Sequence, residues 1–198
     1  LLFGIMFLFF LSHFKRKSEI KVRTIVILAV VIIIIGGFQI QTYLMNENAP
    51  RYLFFYYGSV TANDYFPLGS GFATFGSDQA ARQYSPLYYD YGFNNLFGMN
   101  PEDGSFLSAT FWAMAIGQFG WIGFALYCSV YVHIFISFKK NHNMKADQKA
   151  LLYSGYISYI IHAVGSAILS SSAGVIGFIA LAMVLDSNNS YGDNCFLK

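Results

Sequence analysis

The sequence predicts an all-α fold, a multi-pass transmembrane helical bundle with one large loop outside the membrane. The 198 residues are 56% hydrophobic and only 11% charged, whereas about a quarter of the residues in an average soluble domain are charged. The apolar residues occur in blocks, and a block of about 20 residues is long enough to cross a bilayer as a helix. The loops between the blocks differ in the sign of their charge, which is typical of membrane proteins.

The apolar blocks predict where the chain crosses the membrane. The first block lacks an initial Met and a basic leader, so we expect it to be the end of a helix in a longer protein. Block 106–138 follows acidic residues and precedes lysines, which favours one long, tilted helix. Block 151–185 is interrupted by a run of serines and Gly174, which favours a hairpin of short helices. Within one membrane domain, 1–198, the predicted spans are about 1–14, 24–43, 106–138, 151–168 and 173–185.

The charges between the blocks predict the orientation. The short loops 15–23 and 139–149 hold nine basic and two acidic residues, and segment 45–105 holds two basic and six acidic residues. Because Lys and Arg accumulate on the cytoplasmic side, we expect segment 45–105, the outer loop, to be extracytoplasmic. Its many aromatic rings suit the membrane–water interface, so we expect short interfacial helices lying against the headgroups rather than an independent domain. Asn48 and Pro50 are suited to begin one of these helices.

The outer loop contains two cations, and each has two interpretations. Arg51 follows a proline at the predicted start of an interfacial helix, where its guanidinium could clamp a phosphate or diphosphate. It could instead be an anchor whose charge stays among the lipid headgroups. Arg82 could stack on a sugar or pair with a phosphate, or it could form a solvated pair with Asp78, four residues earlier.

Glycines recur in the outer loop and in block 106–138. Gly69 and Gly71 are separated by one residue, so neighbouring backbone N–H groups could turn toward an anion, although a plain turn also explains the pattern. Gly117, Gly120 and Gly123 form one thin face of the predicted helix. Close packing of another helix explains that face better than any chemistry does.

Two acids, Glu102 and Asp103, precede block 106–138. A carboxylate at the end of a membrane helix could act as a general base toward an acceptor hydroxyl. The structural alternative is an ordinary helix start, with Asn100 as the N-cap, Pro101 at the first helical position and the acids in the first turn. The two roles are compatible.

The order of these features along the chain resembles the order found in a known protein family. A basic loop and an apolar span lead to an outer segment that opens with Arg51, followed by Pro-Leu-Gly-x-Gly-Phe-x-x-Phe at 67–75 and a polar residue before a long helix. That helix contains Gln-Phe-Gly-Trp-Ile-Gly-Phe at 118–124, similar to the "elGiiGl" stretch of one family. Over roughly residues 24–185, the chain resembles the C-terminal half of the bacterial O-antigen ligase and polymerase superfamily.

The resemblance implies an enzyme of the bacterial cytoplasmic membrane. Such proteins are entirely helical and transfer glycan from an undecaprenyl-diphosphate carrier on the outer side of the membrane, without a metal or a nucleotide sugar. The family's outer-loop arginine, implicated in contacting the donor diphosphate, would correspond to Arg51. The position before the late helix is His in the ligases and would fall near Asp103 here. This departure favours a repeat-unit polymerase for surface polysaccharide, with a glycan ligase as the alternative.

The implied mechanism gives the candidate residues their roles. Arg51 would stabilise the charge that develops on the leaving diphosphate, and Asp103 would accept the proton of the attacking sugar hydroxyl. The further candidates for substrate contact are Gly69, Gly71, Arg82, Tyr84 and Glu102. The rings of Tyr84, Tyr88, Tyr89 and Tyr91 could stack on sugars or anchor the loop at the interface.

The expected partners follow from this implied function. They are the undecaprenyl-diphosphate-linked oligosaccharide, the lipid bilayer, and a flippase and a chain-length regulator of the same pathway. No nucleic acid, metal or cofactor is expected. A transporter or flippase for lipid-linked glycans is the alternative from another class, and it should show charged or broken helices near the bilayer midplane. The outward spans are nearly free of charge, which favours the enzyme.

Overall fold

The computed structural model describes residues 2–15, 49–140 and 144–186, and all regular elements in this part of the chain are helical. The all-α prediction is confirmed for these residues. The α-helices are α1 (Leu2–Lys15), α2 (Pro50–Asp64), α3 (Asp78–Arg82), α4 (Pro86–Asp90), α5 (Phe111–Lys140), α6 (Ala146–His162) and α7 (Ser172–Asp186), with 3₁₀ turns at Phe93–Asn95 and Ile168–Ser170. The predicted span 24–43 and the predicted cap Asn48 lie outside the described residues.

The described chain divides into two compact units. The first, which we call the bundle unit, contains residues 2–15, 130–140, 144–162 and 168–186. The second, the loop unit, contains residues 49–129 and 163–167. Helix α5 begins in the loop unit and ends in the bundle unit.

The bundle unit is held together by aromatic and aliphatic packing. Tyr153 of α6 packs on Phe10 and Phe14 of α1, with ring centroids 5.8 and 5.6 Å apart. Tyr156 of α6 donates a hydrogen bond to the carbonyl of Tyr131 in α5. The block 151–185 thus contains two helices, α6 and α7, joined through the 3₁₀ turn Ile168–Ser170 and packed around a shared core of Phe138, Met144, Leu152, Tyr156 and Leu181.

The loop unit has a hydrophobic core of its own. We expected much of the outer loop to lie against the headgroups rather than to form an independent domain; in the structure, several of its aromatic side chains are buried against each other, and the core is completed by Ala113 of α5. Phe54 of α2 packs edge-to-face on Phe75, and Tyr88 of α4 stacks on Phe93, with centroids 5.3 and 5.6 Å apart. Each such ring buries a large apolar area. The fully buried core comprises Phe54, Phe75, Ala80, Tyr88, Phe93, Met99, Leu107 and Ala113.

Helix α5 is interrupted, although an unbroken helix over 106–138 was predicted. It begins at Phe111, and Gly120 has φ 63° and ψ −171°, outside the helical region. Residues 113–118 are buried in the loop unit, whereas residues 121–137 are exposed or half-buried. Within the described residues, Phe111–Phe138 is the helix whose length and composition would allow it to cross a membrane, and α1 and α7 are apolar but shorter.

The predicted helix start at Asn100 is wrong. The Oδ1 atom of Asn100 does accept hydrogen bonds from the amides of Glu102 and Asp103, at 3.0 and 2.6 Å. These bonds close a turn, and the next helix begins only at Phe111. An Asn side chain forms the same local bonds in a turn as at a helix N-terminus, so the local pattern could not distinguish the two.

Candidate functional site

Arg51 lies in the first turn of α2 and is held by the backbone of a distant segment. Its half-buried guanidinium donates from Nη2 to the carbonyl of Gly165 at 3.2 Å. A Cβ atom on Gly165 would lie 3.3 Å from Nε of the same guanidinium. Because a guanidinium is planar, contact with one backbone group limits its orientation. Arg51 is therefore built into the loop unit, which differs from a side chain that extends freely to the lipid headgroups.

The segment that holds Arg51 also contacts the start of α5. The amide of Phe111 donates to the carbonyls of Ala163 and Ser166, at 3.2 and 3.3 Å. Thr110 precedes it, and its carbonyl accepts from the amide of Met114 at 3.3 Å. The Thr110 hydroxyl is buried and has no hydrogen-bond partner in the described part of the chain. Segment 163–166 thus joins a cation to a helix N-terminus, which carries a partial positive charge.

Glu102 and Asp103 are exposed and belong to the turn closed by Asn100. One oxygen of Asp103 accepts from the amide of Ser105 at 3.3 Å. These contacts are local, and the described structure shows none that brings the Asp103 carboxylate to Arg51. Both acids are accessible, so an acceptor hydroxyl could reach either carboxylate from the surface.

Arg82 pairs with Asp78, as the solvated-pair interpretation predicts. Its Nε atom lies 2.9 Å from Oδ2 of Asp78, and the two side chains are 75% and 72% exposed. The pair spans one turn of α3, where residues four apart are neighbours. This geometry explains Arg82 without any substrate.

We expect Arg82→Ala to leave the thermal stability of the protein unchanged within experimental error. Ion pairs between exposed side chains contribute little because water and salt screen them. The midpoint of thermal unfolding in detergent, measured for wild type and variant side by side, checks this. A clear fall in the midpoint would mean that Arg82 makes a contact beyond its pair with Asp78.

The amides of the glycine-rich loop already have partners in α5. The amides of Ser70 and Gly71 donate to the carbonyls of Gly117 and Gln118, each at 3.0 Å. These carbonyls belong to the last turn before the break in α5, where helical carbonyls lack partners within the helix. The loop therefore caps the first half of α5. Since its amides are engaged in this way, the geometry favours the turn interpretation of Gly69 and Gly71 over an anion-binding loop.

Gln118 is a structurally important residue that was not identified as a candidate from the sequence. Its side chain is buried, accepts from the amide of Ala73 at 3.2 Å and donates to the carbonyl of Phe75 at 2.5 Å. A buried amide that bonds two backbone groups fixes the path of the loop. A glutamine inside a long apolar block was the available signal, because an unpaired amide is costly in an apolar environment.

The glycine face of α5 packs closely, but its partner is the loop. A Cβ atom on Gly120 would lie 2.6 Å from the Gly69 amide nitrogen and from the Pro67 carbonyl oxygen. Gly117 lies against the ring of Phe75. The prediction of close packing is therefore correct for these two glycines, and the predicted helical partner is replaced by loop 67–75.

The four tyrosines differ in their accessibility. Tyr88 is fully buried, and its hydroxyl accepts from the amide of Gly76 at 2.8 Å; burial raises the pKa of Tyr88. Tyr84 donates to the carbonyl of Met99, and Tyr91 stacks on Tyr57 with centroids 4.5 Å apart. Tyr89 is exposed. Three of the rings thus support the loop unit, and Tyr89 is the one with an accessible face.

The chemical character of the candidate site follows from the positions of its side chains. In the described ranges, no group of three or more His, Cys, Asp or Glu side chains is placed to hold a metal ion. No protein-family model, curated protein or solved structure matches this chain. What the arrangement offers is a cation bonded to segment 163–166, which also binds the first amide of α5, together with accessible carboxylates on a separate turn. Because the Phe111 amide is engaged by that segment, the guanidinium of Arg51 is the group in this arrangement that favours a bound anion.

Proposed function

We propose that this chain is part of a multi-pass polymerase of the bacterial cytoplasmic membrane. It would join undecaprenyl-diphosphate-linked oligosaccharide repeat units into surface polysaccharide on the outer side of that membrane. The observation that carries the proposal is the fixed guanidinium of Arg51, bonded to the same segment that contacts the N-terminus of α5. The substrate class comes from the resemblance of the sequence order to the O-antigen ligase and polymerase superfamily.

The membrane location is supported by composition and charge. Helix Phe111–Phe138 is long and apolar enough to cross a bilayer, and α1 and α7 are apolar as well. The basic residues concentrate in the loops 15–23 and 139–149. Under the positive-inside rule, this distribution supports a cytoplasmic position for those loops and an outer position for segment 45–105.

The proposed reaction is a single displacement at the anomeric carbon of the donor sugar. An acceptor hydroxyl attacks that carbon, a new C–O bond forms, and the bond to the diphosphate breaks with its electron pair on the leaving oxygen. Arg51 stabilises the negative charge that develops there. Asp103, an accessible carboxylate, takes the hydroxyl proton. The configuration of the donor carbon is inverted.

The break in α5 bears on the transporter alternative. Transporters use broken helices whose exposed ends bind substrate or ions, and α5 is broken at Gly120. Here, however, the carbonyls of Gly117 and Gln118 at the break accept from the amides of Ser70 and Gly71. These groups are occupied within the protein, so the break supports the path of the loop and does not favour transport.

The experiment uses the full-length parent gene in its native bacterium. The gene is deleted and complemented with wild type, Arg51→Gln, Arg51→Ala or Arg82→Ala, and lipid-linked and surface glycans are separated on a gel. Arg51→Gln keeps a donor for the Gly165 carbonyl but removes the charge, and Arg82→Ala removes the other outer-loop cation. We expect full ladders with wild type and Arg82→Ala, and single repeat units with both Arg51 variants at equal membrane abundance.

Other outcomes would replace the proposal. A full ladder with Arg51→Gln would limit Arg51 to its contact with Gly165 and remove it from the reaction. If the deletion left the ladder intact while polymer failed to reach its final acceptor, the protein would be a ligase. If single units accumulated on the cytoplasmic side of the membrane, the transporter alternative would hold.

A further inference from the structure

Large apolar side chains are exposed on the loop unit next to the break in α5. We call them the break patch: Tyr65, Phe66, Leu68, Phe72 and Trp121. Segment 65–77 contains no Asp, Glu, Lys or Arg. A contiguous exposed group of apolar side chains usually marks a surface that contacts a partner or a membrane.

The break patch is held firmly against α5. The amides of Ser70 and Gly71, within the loop that carries the patch, donate to α5 carbonyls. The Phe72 ring packs on Phe119, with centroids 6.3 Å apart. Trp121 donates from its indole nitrogen to Oδ1 of Asn63 at 2.8 Å. The loop that carries the patch is therefore bonded to and packed on residues 117–121 of α5.

The helix beyond the patch indicates what the patch contacts. From Trp121 onward α5 is apolar and exposes side chains such as Ile122 and Leu126. At about 1.5 Å per residue, stretch 121–138 is roughly 27 Å long, close to the ~30 Å thickness of a bilayer's hydrocarbon core. Residues 113–118, before the break, are buried in protein and have no face for lipid.

We propose that the break patch inserts into the membrane–water interface, where α5 leaves the hydrocarbon core. Aromatic side chains with one polar end favour this level of a membrane, and Trp121 has its polar end bonded to Asn63. Segment 65–77 itself carries no charged side chain, which lowers the cost of inserting it, and the exposed Asp64 borders it. The inference rests on the membrane location in the proposed function, but it does not depend on the chemistry of Arg51.

The test measures depth at three positions of the full-length protein in vesicles of phosphatidylethanolamine and phosphatidylglycerol. Phe72→Cys, Phe97→Cys and Leu126→Cys are made in a background without native cysteines and labelled with an environment-sensitive fluorophore. Phe72 and Phe97 are matched, because both are phenylalanines of the loop unit and are 82% and 84% exposed. Leu126 reports on the helix itself.

We expect the label at residue 72 to emit at shorter wavelength and to be quenched most by lipids spin-labelled near the headgroup. The label at residue 126 should be quenched most by lipids labelled deep in the acyl chain, and the label at residue 97 by neither.

Quenching at 126 without quenching at 72 would overturn this inference alone. An unquenched label at 126 would overturn both the inference and the membrane placement of α5. A blue shift at 72 without lipid quenching would assign the patch to a protein partner and reject the lipid.

Discussion

Replacing Gly120 with alanine is expected to destabilise the loop unit strongly. The φ and ψ angles of Gly120, 63° and −171°, fall in a region that is essentially restricted to glycine, and strain there costs about 1–3 kcal/mol. The new methyl group would also lie 2.6 Å from two backbone atoms of loop 67–69, and such overpacking costs about 1–3 kcal/mol. The free energy of unfolding should therefore fall by roughly 4 kcal/mol.

The matched control is Gly92→Ala. Gly92 has φ 70° and ψ 18°, in the left-handed region, and a Cβ atom there would meet nothing within 4 Å, so this variant carries a smaller backbone strain and no collision. The strain costs about 1–2 kcal/mol. The thermal stability of each protein in detergent is monitored by size-exclusion chromatography. The midpoint of unfolding should be highest for wild type, lower for Gly92→Ala and lowest for Gly120→Ala. Equal losses in the two variants would show that the close approach of Gly120 to the loop contributes nothing.

Replacing Gln118 with leucine is expected to give the second large loss. Leucine retains much of the volume but leaves the amide of Ala73 and the carbonyl of Phe75 without their partner. A buried polar group that loses its partner costs about 1–3 kcal/mol, so the two losses should total roughly 2–6 kcal/mol. The same thermal assay measures the change.

Gln79→Leu serves as the control for Gln118→Leu. Gln79 lies on the exposed side of α3, and exposed substitutions usually change the stability by less than about 0.5 kcal/mol. If both variants lost the same stability, the effect would come from the exchange of amide for hydrocarbon and not from the bonds of Gln118 to the loop.

Features set by neighbouring residues were predictable from the sequence, and features set by distant residues were not. The helical class follows from long apolar blocks, and the pair of Arg82 with Asp78 follows from one turn of helix. The partner of Arg51 is Gly165, which is 114 residues away in the chain. No local pattern around Arg51 identifies such a partner, so the sequence left its role open between anchor and binding residue.

The break in α5 was missed for a related reason. Gly120 inside an apolar block indicates close packing, and a helix interrupted there would leave carbonyls without partners. The interruption is stable because Ser70, which is 47 residues earlier in the chain than Gly117, donates to that carbonyl. The burial of Tyr88 next to the exposed Tyr89 could not be predicted from the sequence either. Neighbouring residues of one type point to different sides of a helix, and the side that is buried depends on the surrounding core.

The shared core of the loop and the first half of α5 has a consequence for biosynthesis. Residues 49–110 leave the ribosome before residues 111–120, yet Ala113 and Gln118 complete the core and its hydrogen bonds. A chain that ends at residue 110 therefore lacks the surface on which its aromatic side chains pack. In the proposed topology, segment 49–110 crosses the membrane as an unfolded chain and folds on the far side, once the ribosome has delivered the start of α5.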